Sequence, residues 1–180
     1  MAHTSTAPHD HPLRRAFRQQ AAACAGLGSA FTDRLCQYLA DALHPGTPLT
    51  DRLFNWTGTL GPSGHSLPLR LCGALHALRL NGDTKLAAIY PPHSPDDATF
   101  AQIIDQTLIT QAEAIDEWIN SAPQTNEVRR SAALIAAARV AVQHFDLPIV
   151  LSELGASGGL NLMWDRYALD IGGKRFGPDL

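Results

Sequence analysis

I-V-L-S-E-L-G-A-S-G-G-L-N, Ile149 to Asn161, is the stretch on which the reading of this chain turns. Pro148 stops a helical pattern just before it. The six residues Ile149 to Leu154 have strand length and β-branched content, and a glycine-dense turn follows. An apolar run that passes through an acidic residue into glycines typically brings a ligand loop or a nucleophile to the tip of a strand.

Three chemistries fit such a turn, and spacing separates them. A dinucleotide loop, G-x-G-x-x-G, needs glycine at 157 and 160, where the chain has Ser157 and Leu160. A P-loop needs a Gly-Lys-Ser/Thr ending that is missing here. A nucleophile elbow matches literally, because Gly155-Ala156-Ser157-Gly158-Gly159 is G-x-S-x-G between an expected strand and a helix. In that fold an acid and then a histidine follow the serine. Asp165, Asp170 and Asp179 follow Ser157, but the last histidine is His144. The hydroxyl then has no base, so a serine hydrolase stays an alternative that this stretch does not complete. The third chemistry is a nucleoside cofactor loop. Glu153-x-Gly155-x-Ser157-x-Gly159 resembles the first motif of class I S-adenosylmethionine-dependent methyltransferases, acidic-x-G-x-G-x-G, with serine at the middle glycine. Glycines let the backbone approach a nucleoside and a methionine carboxylate. The acidic residue can hold the ammonium, and no lysine is needed because no pyrophosphate is bound.

The preceding sequence, from Leu13 to about Phe145, has helical periodicity nearly throughout. Helices are expected from Leu13 to Ala25, from Ser29 through Ala42, and from Pro48 through Phe54. Further helices are expected from Leu67 to Leu80 and from Asp83 to Pro91-Pro92. One long helix should start at Ser94-Pro95-Asp96-Asp97, with Phe100, Ile103, Ile104, Leu108, Ile115, Trp118 and Ile119 facing inward. Thr57 to His65 holds three glycines and a proline and reads as a loop. The aromatic and aliphatic stripes are core. The last helix, Glu127 to Phe145, is apolar on most faces and is expected to be buried on several sides. Beyond the glycine turn, Leu160 to Arg166 reads as a short helix. Tyr167 to Ile171, Gly172-Gly173 and Lys174 to Phe176 read as a hairpin with a two-residue turn.

The fold class is therefore mainly α: a helical N-terminal region followed by the first β-α unit of a Rossmann-like α/β domain. Residues 1–12 form a polar tail, expected to be disordered, whose His3, His9 and His11 make no metal site. Residues 13–120 are the helical region, and residues 121–180 hold a helix and the start of a truncated cofactor-binding domain. With 180 residues the chain can bury roughly 70% of its unfolded surface.

A net charge of −3 argues against nonspecific nucleic-acid binding, and no polybasic run points to a membrane surface. The alanine-rich segment Ser131 to Val142 is broken by Arg139 and is too short to span a bilayer. The N-terminus has no apolar core of a secretory signal. Cys24, Cys36 and Cys72 are odd in number and lack CxxC spacing, which reads as buried, reduced thiols and a cytoplasmic protein.

Several motifs together resemble one family. They are Gln19-Gln20, P-L-R-L-C-G-A-L-H at 68–76, I-Y-P-P-H at 89–93, P-Q-T-N-E-V at 123–128, and E-L-G-A-S-G-G-L-N-L-M-W-D-R-Y at 153–167. The chain is similar over residue 13 to its end to an uncharacterised bacterial family, domain of unknown function 2332. The resemblance implies a helical region leading into a methyltransferase-like domain, and members of the family continue beyond the position of Leu180. The chain then corresponds to the N-terminal half of such a protein and is catalytically incomplete, with no methyl acceptor identified.

The cofactor-binding residues on this reading are Glu153, Gly155, Ala156, Ser157, Gly159 and Asn161, with S-adenosylmethionine as the small-molecule ligand. Gln124, Thr125, Asn126 and Glu127 precede the last helix as a polar cluster, either as its cap or as pocket wall. Nineteen helical residues span about 28 Å and six strand residues about 20 Å. An antiparallel pair would then set Thr125 to Glu127 over the glycine loop. A noncatalytic helical interaction module, with Gly155–Gly159 as a structural turn, is the alternative to the cofactor reading. The apolar strand Ile149 to Leu154 is expected to pair with the hairpin or with a second copy of the chain.

Overall fold

Helix starts are set by short polar side chains placed where the sequence needs free backbone amides satisfied. The computed structural model describes residues 11–124 and 127–178. It is mainly helical and divides into two units, Met1–Pro123 and Gln124–Leu180.

In the first unit α1 (Pro12–Gly26) has proline in its first turn, and His11 Nδ1 accepts from Leu13 N at 3.2 Å. His11 is thus a helix cap rather than part of a tail; residues 1–10 lie outside the described residues. Its buried stripe is Leu13, Phe17, Ala21 and Cys24, at i, i+4, i+8 and i+11. It packs on α2 (Ala30–Ala42), which buries Leu35, Cys36, Leu39 and Ala40. α3 (Pro48–Phe54) opens on a reciprocal capping box between Thr47 and Thr50. α4 (Leu67–Leu80) contributes Leu67, Leu71 and Leu75 to the same core. α5 (Thr84–Ile89) is capped by Asp83, and α6 (Asp97–Thr110) by Asp96, whose side chain accepts from Thr99 N at 2.7 Å.

The single long helix expected from Ser94 to Ile119 is two helices. Thr107 Oγ1 donates to Ile103 O and Thr110 Oγ1 to Gln106 O, at 2.8 and 2.9 Å. Such back-bonding competes with the helical ladder and bends it. Gln111 leaves helical geometry at φ −115°, and α7 (Ala112–Trp118) starts after it. Ile115 and Ile119 remain buried, but Trp118 is half exposed instead of facing inward.

In the second unit a 3-10 turn, Val128–Arg130, precedes α8 (Ser131–Phe145). The α-helix is therefore shorter than the Glu127 to Phe145 expectation. Nor is it buried on several sides: Ser131 and Ile135 are its buried residues, while Val140, Val142 and Phe145 face solvent. Its described neighbours, the flanking 3-10 segments and the hairpin, do not surround it. Leu160–Arg166 is a 3-10 helix kinked at Met163. β1 (Leu169–Ile171) and β2 (Lys174–Phe176) form the expected antiparallel hairpin. Gly172 and Gly173 both take positive φ, 58° and 74°, as a two-residue turn between right-twisted strands requires.

The strand expected at Ile149 to Leu154 is not one. Residues 149–153 carry no regular structure, Leu154 opens a turn, and the segment joins no ladder; the hairpin is the sheet among the described residues. A strand exists only through hydrogen bonds to a neighbour. The hairpin strands pair with each other in the register Leu169↔Phe176, and the segment does not join them. Val150 and Leu154 are 95% and 98% exposed as a result. Among the described residues no helix is long and apolar enough to cross a membrane.

One buried charge ties α1 to α2. Arg14 is 4% exposed. Its Nη1 donates to Ala40 O and Asp41 O, and Nη2 donates to Leu43 O at 2.7 Å. Those carbonyls belong to the end of α2, where no further helical turn supplies donors, and the cation also complements the negative end of the helix dipole. Arg14→Met keeps much of the stem but strands these acceptors, so it should cost about 3 kcal/mol in urea unfolding. Arg18→Met removes an exposed pair with Asp41 and should cost less than about 1 kcal/mol.

Cys24, Cys36 and Cys72 are free and buried, with Cys36 Sγ and Cys72 Sγ 3.6 Å apart. The Cys36 contact, and then burial, holds the Cys72 thiol above its ordinary range. A thiol that stays protonated and covered is a poor nucleophile. Ellman's reagent should therefore leave the native protein unlabelled and titrate all three thiols only once urea has unfolded it.

Candidate functional site

The glycine loop takes its shape from three alternating positions. Gly155, Ser157 and Gly159 have φ of 67°, 53° and 73°. All three lie in the left-handed region, which glycine enters freely and serine enters at a cost of about 1 kcal/mol. Ser157, the mismatch to the acidic-x-G-x-G-x-G pattern, thus holds the conformation that a glycine would take there. Its Oγ donates to Gln124 Oε1 at 2.8 Å, a side-chain contact that offsets part of the strain. Gly159 N donates to Ala156 O at 2.8 Å and closes the turn. Its chain neighbours aside, no atom of the described residues lies within 4 Å of where a Cβ of Gly155 would be, so the backbone is bare of them on that side.

Two polar atoms beside the turn are buried without a hydrogen-bond partner among the described residues: Glu153 Oε2 and Asn161 Nδ2. Asn161 is 1% exposed, and its Oδ1 accepts from Ser131 Oγ at 2.9 Å. That bond fixes the amide, with its NH2 group left to donate elsewhere. An unsatisfied buried group costs about 1–3 kcal/mol. The loop therefore carries one acceptor and one donor whose needs the described residues do not meet.

The polar cluster before α8 reaches this loop through Gln124. Thr125 and Asn126 lie outside the described residues. Glu127 is exposed, and its carboxyl accepts from Arg129 N at 3.1 Å, which makes it the cap of the 3-10 turn. Ala156 is half buried within the turn. Ser131 was not singled out by sequence reasoning. A serine opening an alanine-rich helix looks like an ordinary helix start, and its partner Asn161 is thirty residues away.

The arrangement suits binding better than nucleophilic attack. Gln124 Oε1, to which Ser157 Oγ donates, is a neutral amide oxygen, which accepts a hydrogen bond but does not take up a proton. In chemical type, a carboxyl oxygen is an acceptor for a cation such as an ammonium, and an amide N–H is a donor for an anion such as a carboxylate. The described residues supply no acidic group at the end of a second parallel strand, the usual partner of the ribose.

No curated protein and no solved structure matches the chain. The family model described as "uncharacterized protein conserved in bacteria (DUF2332)" matches residues 14–180. The chain belongs to that bacterial family.

Proposed function

We propose that the loop from Glu153 to Asn161 is the first cofactor-binding element of an S-adenosylmethionine-dependent, methyltransferase-like protein, and that it grips the amino-acid end of the cofactor. The supporting observation is the pair of buried, unpartnered atoms, Glu153 Oε2 and Asn161 Nδ2. Glu153 pairs with the ammonium, Asn161 donates to the carboxylate, and the bare backbone at Gly155 lets the ligand lie close. Ala156 and Gly159 shape the turn, and Gln124 steadies it through Ser157. When bound, the cofactor supplies an electrophilic methyl group. Transfer depends chiefly on in-line positioning of an acceptor, and the described residues provide only the first part of that positioning.

A longer protein containing this segment should bind S-adenosylhomocysteine in calorimetry, whereas the 180-residue chain should bind it weakly or not at all. In the longer protein Glu153→Gln should weaken S-adenosylhomocysteine at least about tenfold, roughly 1.4 kcal/mol. It should barely change binding of 5′-methylthioadenosine, which lacks the amino-acid end. Equal losses for both ligands, or no heat from the longer protein at millimolar ligand, would sink the cofactor reading.

The same geometry makes a prediction about Ser157. Fluorophosphonate treatment followed by mass spectrometry should leave it unmodified, since Gln124 Oε1, to which its hydroxyl donates, takes up no proton. Stoichiometric labelling would instead support a hydrolase.

A further inference from the structure

α8 and the hairpin enclose a groove that the loop reading leaves unexplained. On the helix, Ala132, Ala136 and Arg139 fall at i, i+4 and i+7, a single stripe. On the hairpin, Leu169 and Phe176 are cross-strand partners, and Ile171 shares their face two residues on. Asp170 and Arg175, the next cross-strand pair, belong to the opposite face. The groove between these stripes has a volume of about 460 Å³. That lies within the roughly 300–1,000 Å³ typical of small-molecule sites. The volume exists because the helix side carries methyl groups where larger side chains would fill it.

The wall is almost wholly hydrocarbon, with one exception at the rim. The Arg139 guanidinium lies over the Phe176 ring, 5.0 Å from its centroid. A guanidinium stacked on a ring keeps its N–H edge free, and that fork matches a carboxylate in two parallel hydrogen bonds. Among the described residues Arg139 has no ion-pair partner.

We propose that this groove is a binding site for an amphipathic carboxylate, with the acid on Arg139 and an alkyl or aromatic body between the alanine stripe and the hairpin. A lone cation at the edge of a hydrocarbon groove selects against two other occupants. A wholly apolar ligand leaves the charge unpaired, and a polyanion strands its remaining charges against hydrocarbon. The site stands independently of the cofactor reading, because it shares no residue with the glycine loop.

Octanoate and 1-octanol, titrated separately into the ¹⁵N-labelled full chain, test this through backbone amide shifts. Octanoate should move the amides of Ala132, Ala136 and Arg139 and bind at least about tenfold tighter than 1-octanol. Arg139→Gln should cut that preference to about threefold or less. Ala136→Leu should weaken both ligands at least about fivefold by filling the groove. Both positions are exposed, and the spectrum itself reports whether each variant is folded. Arg139→Lys, which keeps the charge and loses the fork, gives a second reading of the head-group contact and should retain part of the preference. The proposal is overturned by unmoved groove amides at about 10 mM octanoate. It is equally overturned by a preference that survives Arg139→Gln. Concentration-dependent shifts of the same amides without ligand would also overturn it, by assigning the groove to a second copy of the chain.

Discussion

The guanidinium of Arg14 is the group around which the helical unit is organised. A helix end exposes carbonyls that need donors, and the end of α2 packs where solvent cannot serve them all. Arg14 reaches across from α1 and donates to three of them, Ala40, Asp41 and Leu43. That requirement sets the rotation of α1 about its axis. With Arg14 turned toward α2, Leu13 and Phe17 point into the core formed with α3 and α4, where both are fully buried. A purely apolar residue at 14 would pack, but it would leave the register of α1 against α2 to side-chain shape alone.

The second unit is organised by a different principle. Its α-helix has few buried side chains, and its unsatisfied groups gather at one turn. Ser157 takes a conformation that serine avoids, and Glu153 and Asn161 each keep a buried atom without a partner among the described residues. Structures tolerate such costs where something else compensates them, and they collect at functional positions. Here the compensation visible within the protein is partial. Gln124 holds Ser157, and Ser131 holds one side of the Asn161 amide. What remains is one acceptor and one donor without a partner among the described residues.

Elements governed by local chemistry were legible in the sequence. Thr47-Pro48, Asp83 and Asp96 start helices where they should, and Gly172-Gly173 turns the hairpin in the stated place. Elements governed by partners far away in sequence were not. Ile149 to Leu154 has the composition of a strand, yet strand identity is conferred by a neighbour, and no neighbour's position is written in six residues. The apolar faces of α8 suggested burial for the same reason, since hydrophobicity records what a surface favours rather than what covers it. The break at Gln111 lay between these cases. Thr107 and Thr110 carried the signal, but threonines in a helix bond back to the preceding turn only in some contexts.

The site showed the same division. Glu153, Gly155, Ser157 and Gly159 are marked by spacing, and Ser157 looked like the weak member because serine replaces glycine. Its φ of 53° removes that objection at the level of the backbone, where the motif acts. A glycine pattern is a statement about dihedral angles and close approach, and it is met by any residue the structure holds in the left-handed region. The Gln124 contact is the means of holding it, and it could not have been read from the loop, since it joins residues 33 positions apart. It follows that Gln124 and the glycine turn act as one unit. Changes at Gln124 are therefore felt first in the backbone of the turn and only then in whatever the turn binds.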